Sequence, residues 1–81
     1  MEIYEKIKKY PRNVTPKELI ELLETYGYVP RESKRSRGDH FYYRRPGYRT
    51  FPVPIGQNPI GIDIVKKALR NVELIIEENE E

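Results

Sequence analysis

Thr15-Pro16-Lys17-Glu18-Leu19-Ile20-Glu21-Leu22-Leu23-Glu24-Thr25-Tyr26-Gly27-Tyr28 is the stretch on which the fold turns. Threonine is a strong N-cap type, and proline fits the first helical position because the N–H it lacks is unused there. Glu18, three residues after Thr15, completes a capping box, and Val14 and Leu19 flank it as a hydrophobic staple. Leu19, Ile20, Leu22, Leu23 and Tyr26 then recur at helical spacing on one face. Gly27 stands where a C′ glycine belongs, and Tyr28 behind it can fold back on Leu23. The spacing predicts a helix over 16–26 that is apolar on one side and needs a partner layer.

Downstream the period changes. Residues 28–33 read as a short extended segment, and Pro30 marks it as an edge strand. Residues 34–38 form a polar, basic turn. His40-Phe41-Tyr42-Tyr43-Arg44-Arg45 is aromatic-rich and predicts a strand over 39–45, Pro46-Gly47 signals a tight turn, and 48–53 is the returning strand. Asn58-Pro59 repeats the cap-then-proline pattern after a loop. Ile62, Val65 and Leu69, flanked by Ile64 and Ala68, then predict a second helix over about 60–70. Residues 72–76 are apolar but too few to assign by period, so they fit either a last helical turn or an added strand. Upstream, Ile3 and Ile7 with Tyr4 suggest a short helix over 2–9, which Tyr10-Pro11 ends. The expected class is α+β, with the order helix, strand, strand, strand, helix after a short N-terminal helical segment. The three strands form an antiparallel sheet with two helices on one face.

The chain has 81 residues, 37% hydrophobic and 35% charged, without tryptophan, so seven tyrosines and two phenylalanines supply much of the core. This is enough for one domain of two thin layers. Cysteine is absent, which excludes a disulfide framework, a zinc ribbon and thiol catalysis, and fits a reducing compartment. No run is long and apolar enough for a membrane span, so the chain is placed in the cytoplasm with no membrane partner.

The net charge of +2 hides an uneven distribution. Seven cations (Arg31, Lys34, Arg35, Arg37, Arg44, Arg45, Arg49) and two anions (Glu32, Asp39) lie within 31–49, whereas the last nine residues carry five glutamates and no cation. A basic middle interleaved with aromatics points to a polyanion. Strand alternation puts Phe41 and Tyr43 on one face, to be joined by Phe51 and Val53 against the helices, and His40, Tyr42 and Arg44 on the other. One imidazole among tyrosines and arginines on an open sheet face suits RNA: rings stack on unpaired bases, guanidinium groups grip phosphates, and the imidazole moves a proton. His40 is the sole histidine. A lone histidine is more often a surface or packing residue than a catalyst. No metal site and no cofactor are expected, since no second His or Cys exists and the carboxylates lack ligand spacing. Neither a phosphate-cradling loop nor a dinucleotide fingerprint is present.

Four stretches, in this order, resemble the HicA toxins, the YcfA-like mRNA interferases of prokaryotic toxin–antitoxin pairs. They are Thr15-Pro16-Lys17-Glu18-Leu19-Ile20 with Leu23 and Gly27-Tyr28; Gly38-Asp39-His40-Phe41, similar to the family's Gly-Ser-His signature; Phe51-Pro52-Val53-Pro54; and 61–69, similar to its closing helix. The likeness covers about 13–74, leaving 1–12 as an N-terminal extension and 75–81 as an acidic tail of a single domain. It implies a double-stranded-RNA-binding-like α-β-β-β-α fold and a metal-independent endoribonuclease with His40 as catalytic residue. It also implies a HicB-type antitoxin as protein partner. Lys34, Arg35, Arg37, Tyr42, Arg44, Arg45 and Tyr48 are the candidate RNA contacts. Asp39 stands where the family has serine, the 31–38 loop is longer and more basic, and Ile55-Gly56 replaces a second histidine that often follows the proline. A non-catalytic RNA-binding module of the same fold is the alternative. A protein-docking role for 72–76 is a third.

Overall fold

In the computed structural model, residues 2–31 and 40–79 are described. The elements are α1 (Ile3–Lys9), α2 (Pro16–Thr25), β1 (Val29–Pro30), β2 (His40–Arg44), β3 (Phe51–Pro54) and α3 (Ile62–Asn79). The strands form one antiparallel sheet in the order β1-β2-β3. The class and element order are those expected from the sequence.

α2 starts and stops for the reasons its sequence gives. The Thr15 hydroxyl accepts the Glu18 N–H at 3.1 Å and the Glu18 carboxylate accepts the Thr15 N–H at 3.0 Å, which closes the capping box. At the other end Tyr28 N–H donates to Leu23 O at 3.0 Å and Gly27 N–H to Glu24 O at 3.2 Å, the two bonds of a Schellman ending. Gly27 holds φ +97°, a region open to glycine and strained for other residues. This ending turns the Tyr28 ring into the core, where it is buried, so β1 begins only at Val29 rather than at 28.

The β2–β3 register pairs His40 with Pro54, Phe41 with Val53, Tyr42 with Pro52 and Tyr43 with Phe51. Pro46 and Gly47 (φ +86°) turn the chain, with Tyr48 N–H donating to Arg45 O at 3.0 Å, as in a type II turn. The turn takes up 45–48, so the returning strand begins at Phe51 and not at 48. Antiparallel pairs alternate between bonded and non-bonded, and prolines occupy only the latter. The backbone nitrogens of Pro52 and Pro54 therefore lie on the unpaired edge of β3. That of Pro30 does the same on β1, since Arg31 N–H, one residue on, donates inward to Tyr42 O at 2.8 Å. Both sheet edges thus lack outward N–H donors at these positions, which blocks strand addition there.

One core joins the layers: Leu19, Leu22 and Leu23 of α2, Val65, Ala68, Val72 and Ile75 of α3, Tyr43, Phe51 and Val53 of the sheet, and Ile7 of α1. Three expectations are corrected. Phe41 shares the face of Tyr43 but is 43% exposed, because α2 lies over β3 rather than over this end of β2. The last helix runs to Asn79 instead of ending near 70, and 72–76 is helical. Val65, Ala68, Val72 and Ile75 continue one buried face, and no glycine or proline interrupts it. Asn71, a weak helix former just past the expected end, lies inside the helix, where its amide N–H donates to the Tyr28 hydroxyl at 3.2 Å. Asn58 does not cap that helix. Buried Ile60 donates its N–H to Val14 O at 2.7 Å, which pins the loop to the entry of α2, and Gly61 O receives the first helical bonds.

Candidate functional site

Away from the helices, the sheet presents His40, Tyr42 and Arg44 of β2, with Val29 and Pro52 as the register partners of Arg44 and Tyr42. Residues paired across antiparallel strands share a face, so these five side chains form one surface. His40 and Arg44 are exposed and Tyr42 is half-buried. The imidazole and the Tyr42 ring lie 6.4 Å apart at 23°, a stacked pair. That spacing matches two residues of strand rise, about 6.6 Å, so the backbone alone sets it. Arg44 lies two residues further, about 13 Å from His40 along the strand. Its guanidinium suits a neighbouring phosphate better than one held at the imidazole.

The other candidates divide. Lys34, Arg35 and Arg37, with Asp39, lie outside the described residues. Arg45 leaves the strand and works on the helix side. Its Nε donates to Tyr26 O at 2.8 Å, at the end of α2, and its guanidinium sits 5.2 Å from the Tyr48 ring centroid. α2 has no basic residue in its own last turn, so Arg45 supplies the cation its terminal carbonyls attract. A methyl group on Gly27 would come within 2.9 Å of Arg45 Nε, so this glycine also makes room for that contact. Tyr48 donates its hydroxyl to Glu78 at 3.2 Å, and partial burial, followed by this carboxylate, pushes its phenol above the ordinary tyrosine range. Arg45 and Tyr48 thus form a structural cluster at the hairpin end, apart from His40. The missing cation at the end of α2 was the sequence signal for it.

The register also locates one departure from the family pattern. Ile55, where a second histidine often stands, follows Pro54, the partner of His40, and packs against the core. A groove of about 740 Å³ runs between the hairpin and α3 and was not foreseen from spacing. Its one sequence trace is Leu74, apolar at a solvent position of α3 and 39% exposed. Among the described residues no three metal-binding side chains come together, and no helix is long and apolar enough to cross a membrane.

No curated protein and no solved structure matches the chain. The family model described as "HicA toxin of bacterial toxin-antitoxin" matches residues 16–74, from the first residue of α2 to within the last turns of α3. That span contains the whole sheet and every candidate site residue. With most of its length matched and the expected α-β-β-β-α core in place, the chain belongs to the HicA toxin family.

Proposed function

We propose that the chain is a metal-independent endoribonuclease, an mRNA interferase acting in the cytoplasm, in which His40 transfers a proton. The observation that carries this is the stacked pair of exposed His40 and half-buried Tyr42 on the helix-free face of the sheet, on the same strand as exposed Arg44. In the reaction the ribose 2′-oxygen bonds to the adjacent phosphorus, the bond to the 5′-oxygen breaks, and a cyclic 2′,3′-phosphate and a 5′-hydroxyl result. One proton leaves the 2′-hydroxyl and one reaches the departing oxygen. His40 serves one of these transfers, a contribution of roughly 10²–10⁴-fold, and water serves the other. Because the nucleophile belongs to the substrate, positioning and cationic stabilisation of the phosphate suffice in principle. Tyr42 stacks a base beside the imidazole, Arg44 holds the next phosphate, and Lys34, Arg35 and Arg37 bring further charge to the scissile one.

As the toxin of a pair, the chain has an antitoxin partner; we assign it to the HicB type, as an acidic protein covering the open face. The proline-blunted edges direct such a partner to the face rather than to strand addition. Electrostatic complementarity makes this association fast and salt-sensitive.

The test is single-stranded RNA incubated with the protein in excess chelator. Cleavage with cyclic 2′,3′-phosphate ends is expected. Intact RNA with undiminished binding would favour the second reading, a binding module of the same fold, which the missing second histidine and Asp39 in place of serine support.

A further inference from the structure

The groove beside β3 lies outside the site just described, and its chemistry points to a ligand. One wall is the hairpin, with Arg49, Thr50 and Pro52; the other is α3, with Lys67, Asn71 and Leu74. Its volume of about 740 Å³ is within the usual range for a small-molecule site. Arg49 and Lys67 are both exposed, and neither is paired with a carboxylate among the described residues. Leu74 provides apolar surface that no other described side chain covers fully. Asn71 commits its amide N–H to the Tyr28 hydroxyl, which fixes the side chain and leaves its carbonyl oxygen as an acceptor.

The groove is continuous with the open face. Pro52 lines it and is also the register partner of Tyr42, whose ring stacks on His40. Partners of this kind stand about 5 Å apart, so His40, Tyr42, Pro52 and the groove make one short path across the sheet.

We infer that the groove is a subsite for one nucleotide of the RNA strand flanking the nucleotide at His40. Its phosphate lies against Arg49 and Lys67, its base lies on Leu74 and the Pro52 ring, and Asn71 and Thr50 offer hydrogen bonds to its edge. This rests on the ribonuclease reading. An extended peptide fits less well, because Pro52 and Pro54 remove the N–H donors with which β3 would hold it. The far end is closed by Glu78, whose carboxylate accepts the Tyr48 hydroxyl and repels a further phosphate. The subsite therefore takes a single phosphate.

The experiment uses the full chain and a series of single-stranded RNAs from two to eight nucleotides. The parent gains kcat/KM at the length that first fills the groove. The double variant Arg49→Ala/Lys67→Ala loses that step while keeping the parent rate on shorter RNAs. Binding to the longest RNA, measured in His40→Ala and in His40→Ala carrying both changes, weakens alike for every sequence, and the salt slope flattens by about 0.7, one single-strand phosphate. Leu74→Ala lowers the same kcat/KM step with no change in salt slope. All three side chains are exposed, and unchanged thermal melting confirms the variants' fold. Equal kcat/KM and equal slopes in parent and double variant would overturn the subsite while leaving the ribonuclease intact. A parent that neither cleaves nor binds RNA overturns both together. A double variant that handles RNA normally but loses a co-purified acidic protein makes the groove a protein-docking site and overturns the inference.

Discussion

The two faces of the sheet follow different rules. On the helix side every polar device has a structural partner: the capping box closes α2, the Schellman bonds end it, Arg45 meets the last carbonyl, and Asn71 meets Tyr28. Most of its apolar residues are buried in a common cluster, Phe41 being the exception. On the open face a stacked His40 and Tyr42, an exposed Arg44 and a Val29 that is 53% exposed have no such employment. A chain this small has little stability to spare, so groups that packing does not employ are the ones to which the proposed function is assigned.

Substituting one residue on each face separates the two rules. His40→Ala is expected to lower RNA cleavage by roughly 10²–10⁴-fold, or about 3–5 kcal/mol of barrier. An exposed strand residue contributes little to packing, so unfolding in denaturant changes by less than about 1 kcal/mol. Cleavage assays and urea titrations of the same preparation check both. Full activity in the variant would place the chemistry elsewhere, and an unfolded variant would make His40 a packing residue. Leu23→Ala does the reverse. Leu23 is fully buried at the end of α2, so its truncation costs about 2–5 kcal/mol. For a domain of this size that is a fall in melting temperature of at least about 8 °C. Activity per folded molecule stays at the parent level. If it drops in proportion to stability loss, the two faces are energetically coupled.

The sequence disclosed the helix side more fully than the open one, for physical reasons. Capping, staple and C′ glycine are local, so Thr15, Glu18 and Gly27 announce α2 without help from the rest of the chain. Alternation placed His40 with Tyr42, since period two needs only a strand. Long-range demands were not legible. Asn71 resembles a helix stop until Tyr28, 43 residues away, takes its N–H. Arg45 resembles a phosphate ligand until the end of α2 is folded beside it. Phe41 has the right parity for the core, but no helix covers that end of β2. Apart from Leu74, apolar at a solvent position of α3, nothing local reports the groove, because it forms only when the hairpin and α3 meet.

Gly27 tests the junction between the two rules. Its φ of +97° already disfavours any Cβ, by about 1–2 kcal/mol, and that carbon would also press on Arg45 Nε. Gly27→Ala is expected to destabilise by that amount or slightly more in thermal melts. Arg45→Ala made in the Gly27→Ala background relieves the crowding, so the double variant falls short of the sum of the singles. Strict additivity in that cycle would mean that the arginine does not rest on the glycine.

The smallest expected effect concerns α1, which precedes the matched family region. Lys6 Nζ donates to the Glu18 carboxylate at 2.6 Å, tying α1 to the first turn of α2. This bond, followed by the one from the Thr15 N–H, holds the Glu18 carboxyl below the usual carboxylate range. A group whose folded value is depressed contributes stability above its unfolded value, about 4.3 for glutamate, and that contribution is lost as pH falls through the folded value. Lys6 behaves oppositely. The same bond raises its value, so its share is present below the unfolded lysine value of about 10.4 and is lost as pH rises through the folded one. Glu18→Gln separates charge from capping, because glutamine also serves in a capping box. The variant is expected to be slightly less stable than the parent near pH 7, with the difference shrinking as pH falls below about 4. It also shrinks in ~1 M salt, where the Debye length is only about 3 Å. Melting temperatures across pH, with and without salt, measure this. A gap of constant size from pH 7 to pH 3 would show that the glutamine perturbs the cap itself, and that α1 is not held to α2 by charge.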